Sequence, residues 1–203
     1  DNGVTWDDVV SGVTGLATVQ AIAASSNGTI IAVGTSSTGI AARSTDGGLT
    51  WSSVSLGTGT TAINGIATDN NGVWVAVGNS GTLVRSSDDG LTWSPVTSGF
   101  GTDTINDVKT DDAGNWVAVG AAGKVGRSSS NGLSWTTAAP IGTPNLQMVA
   151  TDKAGAWGAV ASSSASMFRS LDNGANWTTF IAATSLNALS IAYAGGTWLI
   201  GVS

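Results

Sequence analysis

Five amide side chains, Gln20, Asn64, Asn106, Gln147 and Asn187, each stand second in a short β-prone run that recurs along the chain. An amide offers donors and an acceptor without charge, which suits a sugar, a small polar ligand or an ordered water. The same groups also satisfy backbone atoms of a neighbouring strand, where unpaired polar groups are costly, and the residue types fit both uses. Acid–base chemistry is thinner. All thirteen acids are Asp, and the chain has no Glu, His or Cys. That removes the commonest general base, every Glu-dependent mechanism, disulfides and thiolate metal sites. Asp103 with Asp107 is the carboxylate pair nearest the amides that glycoside hydrolysis could use, but no cleft goes with it and catalysis is not expected. Asp111-Asp112 and Asp69-Asn70-Asn71 lack the alternating spacing and terminal Glu of a calcium loop, so neither a metal nor another cofactor is expected.

These residues are positioned by a repeat. Its clearest copy is Arg85-Ser86-Ser87-Asp88-Asp89-Gly90-Leu91-Thr92-Trp93, and Arg43 to Trp51, Arg127 to Trp135 and Arg169 to Trp177 match it. A copy cut at its front opens the chain as Asp1-Asn2-Gly3-Val4-Thr5-Trp6. An Asp followed by Gly two residues on is turn chemistry, and the flanking β-prone runs make the unit a hairpin that the Trp staples. Ser130 replaces the Asp in one copy and is expected to weaken that turn, with Asn131 compensating in part. The box tryptophans Trp51, Trp93, Trp135 and Trp177 are 42 residues apart, and Trp6 precedes Trp51 by 45.

A period near 40 with several short strands reads as propeller blades of four strands each. The innermost strands are Val19 to Ala23, Ile63 to Ala67, Ile105 to Lys109, Leu146 to Ala150 and Leu186 to Ala192. The second strands begin at Ile30, Trp74, Trp116, Trp157 and Trp198. All nine tryptophans occupy the box position or the start of the second strand, as expected of residues packed between blades. The amides then ring one mouth of a central channel. Asn79, Phe100, Asp103, Lys124, Pro140 and Pro144 fall in the short connections on that side, which read first as solvated turns.

The nonamer resembles the Asp-box, or BNR repeat, of sialidases, sortilin-type receptors and photosystem assembly factors of the Ycf48 kind. The resemblance covers the whole chain and implies a β-propeller with the box in the outer hairpin of each blade. It implies no activity, because enzymes, receptors and assembly factors all carry it. Sialidases use three arginines on the substrate carboxylate, a Tyr nucleophile paired with Glu, and an acid/base Asp. Here Arg43, Arg85, Arg127 and Arg169 all belong to boxes, Glu is absent, and the one Tyr is Tyr193.

The expected fold is therefore one all-β domain over residues 1–203: a five-bladed propeller of four-stranded antiparallel blades. Its last blade takes two strands from the C-terminus and one, Val4 to Val10, from the N-terminus, and lacks about ten residues, the length of one strand with its turn. A lost segment, a reorganised blade or a strand donated by another chain would each account for the gap. The start without Met or signal-like residues reads as a processed chain or a fragment. Charged residues make up 10% of the chain and the net charge is -6, against the basic stripes of nucleic-acid binders. No run of about 18 apolar residues is present for membrane insertion. Richness in Ser, Thr, Gly, Ala and Asn, with scarce Lys and no Glu, suits an extracellular or particle-surface protein, whereas the two glycosylation patterns, at Asn27 and Asn176, are close to what chance gives in such a chain. The expected function is non-catalytic recognition of a glycan or polar ligand at the channel mouth. A self-assembling structural subunit that accepts a strand from a neighbour is the alternative, and a degenerate glycosidase a second one.

Overall fold

The computed structural model describes residues 15–138, 140–162, 164–181 and 188–202. These form four antiparallel sheets of four consecutive strands and one of two. The first sheet holds β1 (Leu16–Ala24), β2 (Ile30–Ser36), β3 (Ile40–Ser44) and β4 (Ser52–Ser55). The second holds β5 (Ile63–Thr68), β6 (Trp74–Gly78), β7 (Leu83–Ser86) and β8 (Ser94–Pro95). The third holds β9 (Ile105–Thr110), β10 (Trp116–Gly120), β11 (Val125–Ser128) and β12 (Thr136–Thr137). The fourth holds β13 (Leu146–Thr151), β14 (Trp157–Ala161), β15 (Ser164–Ser170) and β16 (Thr178–Ile181). The hairpin of β17 (Ala188–Ala194) and β18 (Thr197–Val202) comes last. The expected N-terminal box, the closing strand from Val4 to Val10, and Leu186 with Asn187 lie outside the described residues.

Second strands such as Trp74-Val75-Ala76-Val77-Gly78 are apolar throughout because both faces of their sheets are covered; every residue of β6, β10 and β14 is buried. Successive sheets stack through their first strands, β1 on β5, β5 on β9, β9 on β13 and β13 on β17. Ile31 and Val33 meet Ile63, Ile66 and Trp74. One sheet further on, Val75 and Val77 meet Ile105, Val108 and Trp116, and then Val117 and Val119 meet Leu146, Val149 and Trp157. Each second-strand Trp thus fills the interface with the preceding sheet, as the repeat predicted. The arrangement is that of a β-propeller.

The box turns are held by their own polar atoms. Thr92 donates through N and Oγ1 to the two oxygens of Asp88, at 2.9 and 2.6 Å, and Ser86 Oγ adds a third bond at 2.7 Å. Trp93 Nε1 closes the loop on the Gly90 carbonyl at 3.0 Å. In Asp46 the Thr50 hydroxyl, then its N–H, then Ser44 hold the carboxyl down to about 2. Burial works against this in Asp88, yet the bonds from Thr92 and Ser86 outweigh it and the value again falls to about 2. The backbone N–H of Asn176, its side-chain amide and then Ser170 do the same for Asp172. A carboxyl whose folded pKa lies below its unfolded one contributes stability above the unfolded value and loses it as pH falls through the folded one. The urea midpoint is therefore expected to drop between about pH 4 and pH 2, less steeply in Asp172→Ser; equal profiles would exclude the Asp172 carboxylate as a cause.

Ser130 keeps the turn without charge, accepting from Ser134 N at 3.0 Å and sharing a 2.8 Å bond with Ser134 Oγ. Asn131 does not rescue it, contrary to expectation, because its side chain is used between sheets. Asn131 Oδ1 accepts from Trp116 Nε1 at 3.0 Å, and Nδ2 donates to Asp69 Oδ2 at 3.1 Å. Asp89, Asn131 and Asn173 share a left-handed backbone, with φ of 61°, 54° and 58°. Their carbonyls accept from Arg43, Arg85 and Arg127 of the preceding box at 2.8, 2.8 and 2.7 Å. Arg43, Arg85 and Arg127 are thereby clamps from sheet to sheet.

Candidate functional site

The amides are placed by a β-bulge near the start of each first strand. In the ladder Ile63 faces Gly78 and Gly65 faces Val77, leaving Asn64 unpaired. Asn106 is passed over in the same way between Ile105 and Asp107, Gln147 between Leu146 and Met148, and Gln20 between Val19 and Ala21. An unpaired residue leaves the ladder and turns its side chain to the axis. The bulge also drives the preceding carbonyl into the second strand, where a Cβ on Gly120 would lie 2.1 Å from Thr104 O. Glycine fits that close approach in the first three sheets, and the fourth has Ala161 at the same place.

Gln20, Asn64, Asn106 and Gln147 line one hollow of ≈ 340 Å³, with Ile22, Ile66, Asp107, Lys109 and Met148 around it. Two of the four are spent on the scaffold. Asn64 Nδ2 donates to Ile105 O and Asn79 Oδ1, both at 3.0 Å. Asn106 Nδ2 donates to Leu146 O at 2.7 Å and Asn145 Oδ1 at 2.8 Å. Both therefore fasten the next sheet, the use that backbone satisfaction predicts. Gln20 is exposed and Gln147 half-buried, and neither side chain has a hydrogen bond among the described residues.

Asn187 lies outside the described residues, and the register gives the fifth bulge to Leu189, between Ala188 and Ser190. The cause is readable. Tyr193 pairs with Trp198 five residues on, whereas Thr68 pairs with Trp74 six residues on. Gly195-Gly196, at φ 56° and 83°, makes a two-residue hairpin turn. That shortening moves the bulge closer to the Trp than in the other sheets.

Asp107 is buried, and its oxygens are committed. Oδ1 accepts from Val108 N at 2.9 Å and Lys109 Nζ at 2.7 Å, and Oδ2 from Val149 N of the next sheet at 3.1 Å. Asp103 pairs with Lys124 at 2.7 Å, and Lys124 also donates to Phe100 O at 3.0 Å. Phe100 is not a ligand-face residue, since it is fully buried in the core between the second and third sheets. Pro140 is exposed and Pro144 half-buried, its carbonyl taking Gly123 N at 2.7 Å. Asp111 and Asp69 bind the N–H groups of their own turns. Among the described residues no cluster of three or more acidic, His or Cys side chains could hold a metal.

No protein-family description and no curated protein matches the chain. Solved structures do. YCF48 bound to D1 peptide superposes with a TM-score of 0.70 at 17% identity over 89% of this chain and 58% of that one. Virginiamycin B lyase from Staphylococcus aureus gives 0.76 at 14% identity, over 89% of this chain and 61% of the lyase. The GH74 xyloglucanase from Xanthomonas campestris gives 0.70 at 16% identity, over 88% of this chain and 33% of the enzyme. The chain thus spans less than two thirds of each. At such identities the likeness shows the fold, a β-propeller.

Proposed function

We propose that the chain is a five-bladed Asp-box propeller acting as a non-catalytic recognition module outside the cell or on a particle, and that it holds a neutral glycan at the amide-lined mouth. The observation that carries the proposal is the convergence of Gln20 and Gln147, two amides with no described protein partner, on one hollow with the scaffold amides Asn64 and Asn106. Sugars need matched donors and acceptors at short range, and amides supply both. The commitment of Asp107 to backbone N–H groups and of Asp103 to Lys124 supports the non-catalytic part. A GH74 xyloglucanase and a YCF48 bound to a peptide share the fold, so fold alone favours neither a sugar nor a peptide.

The test is saturation-transfer NMR with chitotriose, whose hydroxyl and acetamido groups complement the amides. Gln20→Ala with Gln147→Ala is expected to weaken binding by about tenfold or more. Because neither side chain has a hydrogen bond among the described residues, the unfolding midpoint should hold. Undiminished binding by the double variant, or none by the wild type, sinks the reading.

A further inference from the structure

The larger hollow on the axis, ≈ 390 Å³, lies at the opposite end from the amides, where first strands turn into second strands. Its size falls within the range of about 300–1,000 Å³ usual for small-ligand sites. Three of its lining residues break the repeat. Lys109 takes the register position held by Ala67, Ala150 and Ala192 in other sheets, and Tyr193 the one held by Thr68, Thr110 and Thr151. Lys153 stands where the neighbouring turns carry Asn70 and Asp112, all three left-handed with φ of 61°, 62° and 63°. Ala and Thr satisfy the fold at the two strand positions in other sheets. Departures from three separate sheets meet in this one hollow.

The charges there are arranged unevenly. Lys109 pairs with Asp107, and Lys153 with Asp112; the lysine side chains are 39% and 58% exposed, the aspartates 8% and 28%. Asp107 is saturated by two backbone N–H groups and Lys109, and Asp112 Oδ2 also takes Asn70 Nδ2 at 3.4 Å. An ammonium carries three donors. Lys109 spends two, on Asp107 Oδ1 and Val108 O, and Lys153 spends one, on Asp112. The hollow therefore presents spare donors on the two lysines, with Asp107 withdrawn and Asp112, paired with Lys153, in the wall. The Tyr193 ring, 4.9 Å from that of Trp198, adds an apolar wall with a phenolic donor.

We infer that this end of the channel, which shares Ile22, Ile66 and Lys109 with the amide hollow, is a second ligand site, for a monosaccharide-sized ring bearing an oxyanion. The oxyanion takes the spare protons of Lys109 and Lys153, and the ring lies against Tyr193. Glucuronate and glucose 6-phosphate, titrated into the intact chain by NMR, are expected to bind at least about tenfold tighter than glucose. Preference for one acid identifies a carboxylate or a phosphate as the group held, and either supports the site. Lys153→Gln, at an exposed turn, and Lys109→Gln, which keeps a donor to Asp107, should each remove the preference while the unfolding midpoint stays near wild type. Should Lys109→Gln fold poorly, Lys153→Gln alone decides. Equal binding of glucose, an unchanged preference in Lys153→Gln, or no binding of either acid up to about 10 mM overturns the inference. Gln20→Ala with Gln147→Ala should bind the acids as wild type does. If that variant loses them, the ligand sits at the mouth and the far-end site is wrong, whatever becomes of the neutral-glycan reading.

Discussion

Trp116→Ala is expected to lower the unfolding free energy by about 3–5 kcal/mol, the range for truncating a fully buried large aromatic. The indole is 0% exposed and packs among Val75, Val77, Leu83 and Val108, between the second and third sheets. Its Nε1 donates to Asn131 Oδ1. Removal opens a cavity at a sheet-to-sheet interface and leaves the Asn131 acceptor without its donor. Each sheet here has neighbours rather than a private core, so the loss should appear in the cooperative transition of the stack. Trp116→Phe keeps much of the volume and should cost less. Urea unfolding followed by circular dichroism gives both numbers. A loss below about 1 kcal/mol for the Ala variant would mean that this interface does not hold the stack.

Why the strands and tryptophans were legible while parts of the site were not follows from what each residue must satisfy. A second-strand Trp repeats because each interface has the same shape, so Trp74, Trp116 and Trp157 are found from spacing and lie where spacing puts them. The amide position was legible for the same reason in four sheets. In the fifth sheet Asn187 lies outside the described residues, and the ladder beside the Gly195-Gly196 turn passes over Leu189. The bulge itself has no signature beyond the Gly that follows on the second strand, Gly34, Gly78 and Gly120, and the fourth sheet has Ala161 instead. Phe100 looked like a loop residue because its neighbours are Gly, Ser and Thr; only the packing shows it turned inward. Lys109, Lys153 and Tyr193 were passed over for the opposite reason. A search for recurrence discards what does not recur, and those three matter as exceptions.

Asp89→Ala should be the most damaging change outside the apolar core, at about 3–5 kcal/mol, because it strips partners from buried groups on two sheets. Oδ2 accepts from Thr29 Oγ1 at 2.5 Å, Asn27 Nδ2 at 3.2 Å and Arg43 Nη2 at 3.3 Å, and Oδ1 accepts from Trp74 Nε1 at 3.1 Å. Without the carboxylate, Arg43, only 12% exposed, keeps its bond to the Asp89 carbonyl but loses its counter-charge. The left-handed backbone adds a further cost of about 1–2 kcal/mol for Ala, which lacks the local bonding of Asp or Asn. Asp89→Asn separates shape from charge, since Asn131 and Asn173 occupy the same position in the next two boxes. It should keep the Trp74 bond and lose about 1 kcal/mol at neutral pH. Burial raises the carboxyl of Asp89, but bonds from Thr29, Trp74 and Asn27 and the Arg43 charge outweigh it, so its pKa is lowered in the fold. That sign means the charge contributes stability above the unfolded carboxylate pKa and loses it as pH falls through the folded one. The gap between wild type and Asp89→Asn should therefore narrow on acidification, while the gap between Asn and Ala persists. A wild-type to Asn gap that stays constant with pH would show that the clamp works through shape alone, and that the Arg43 charge has no part in joining the first sheet to the second.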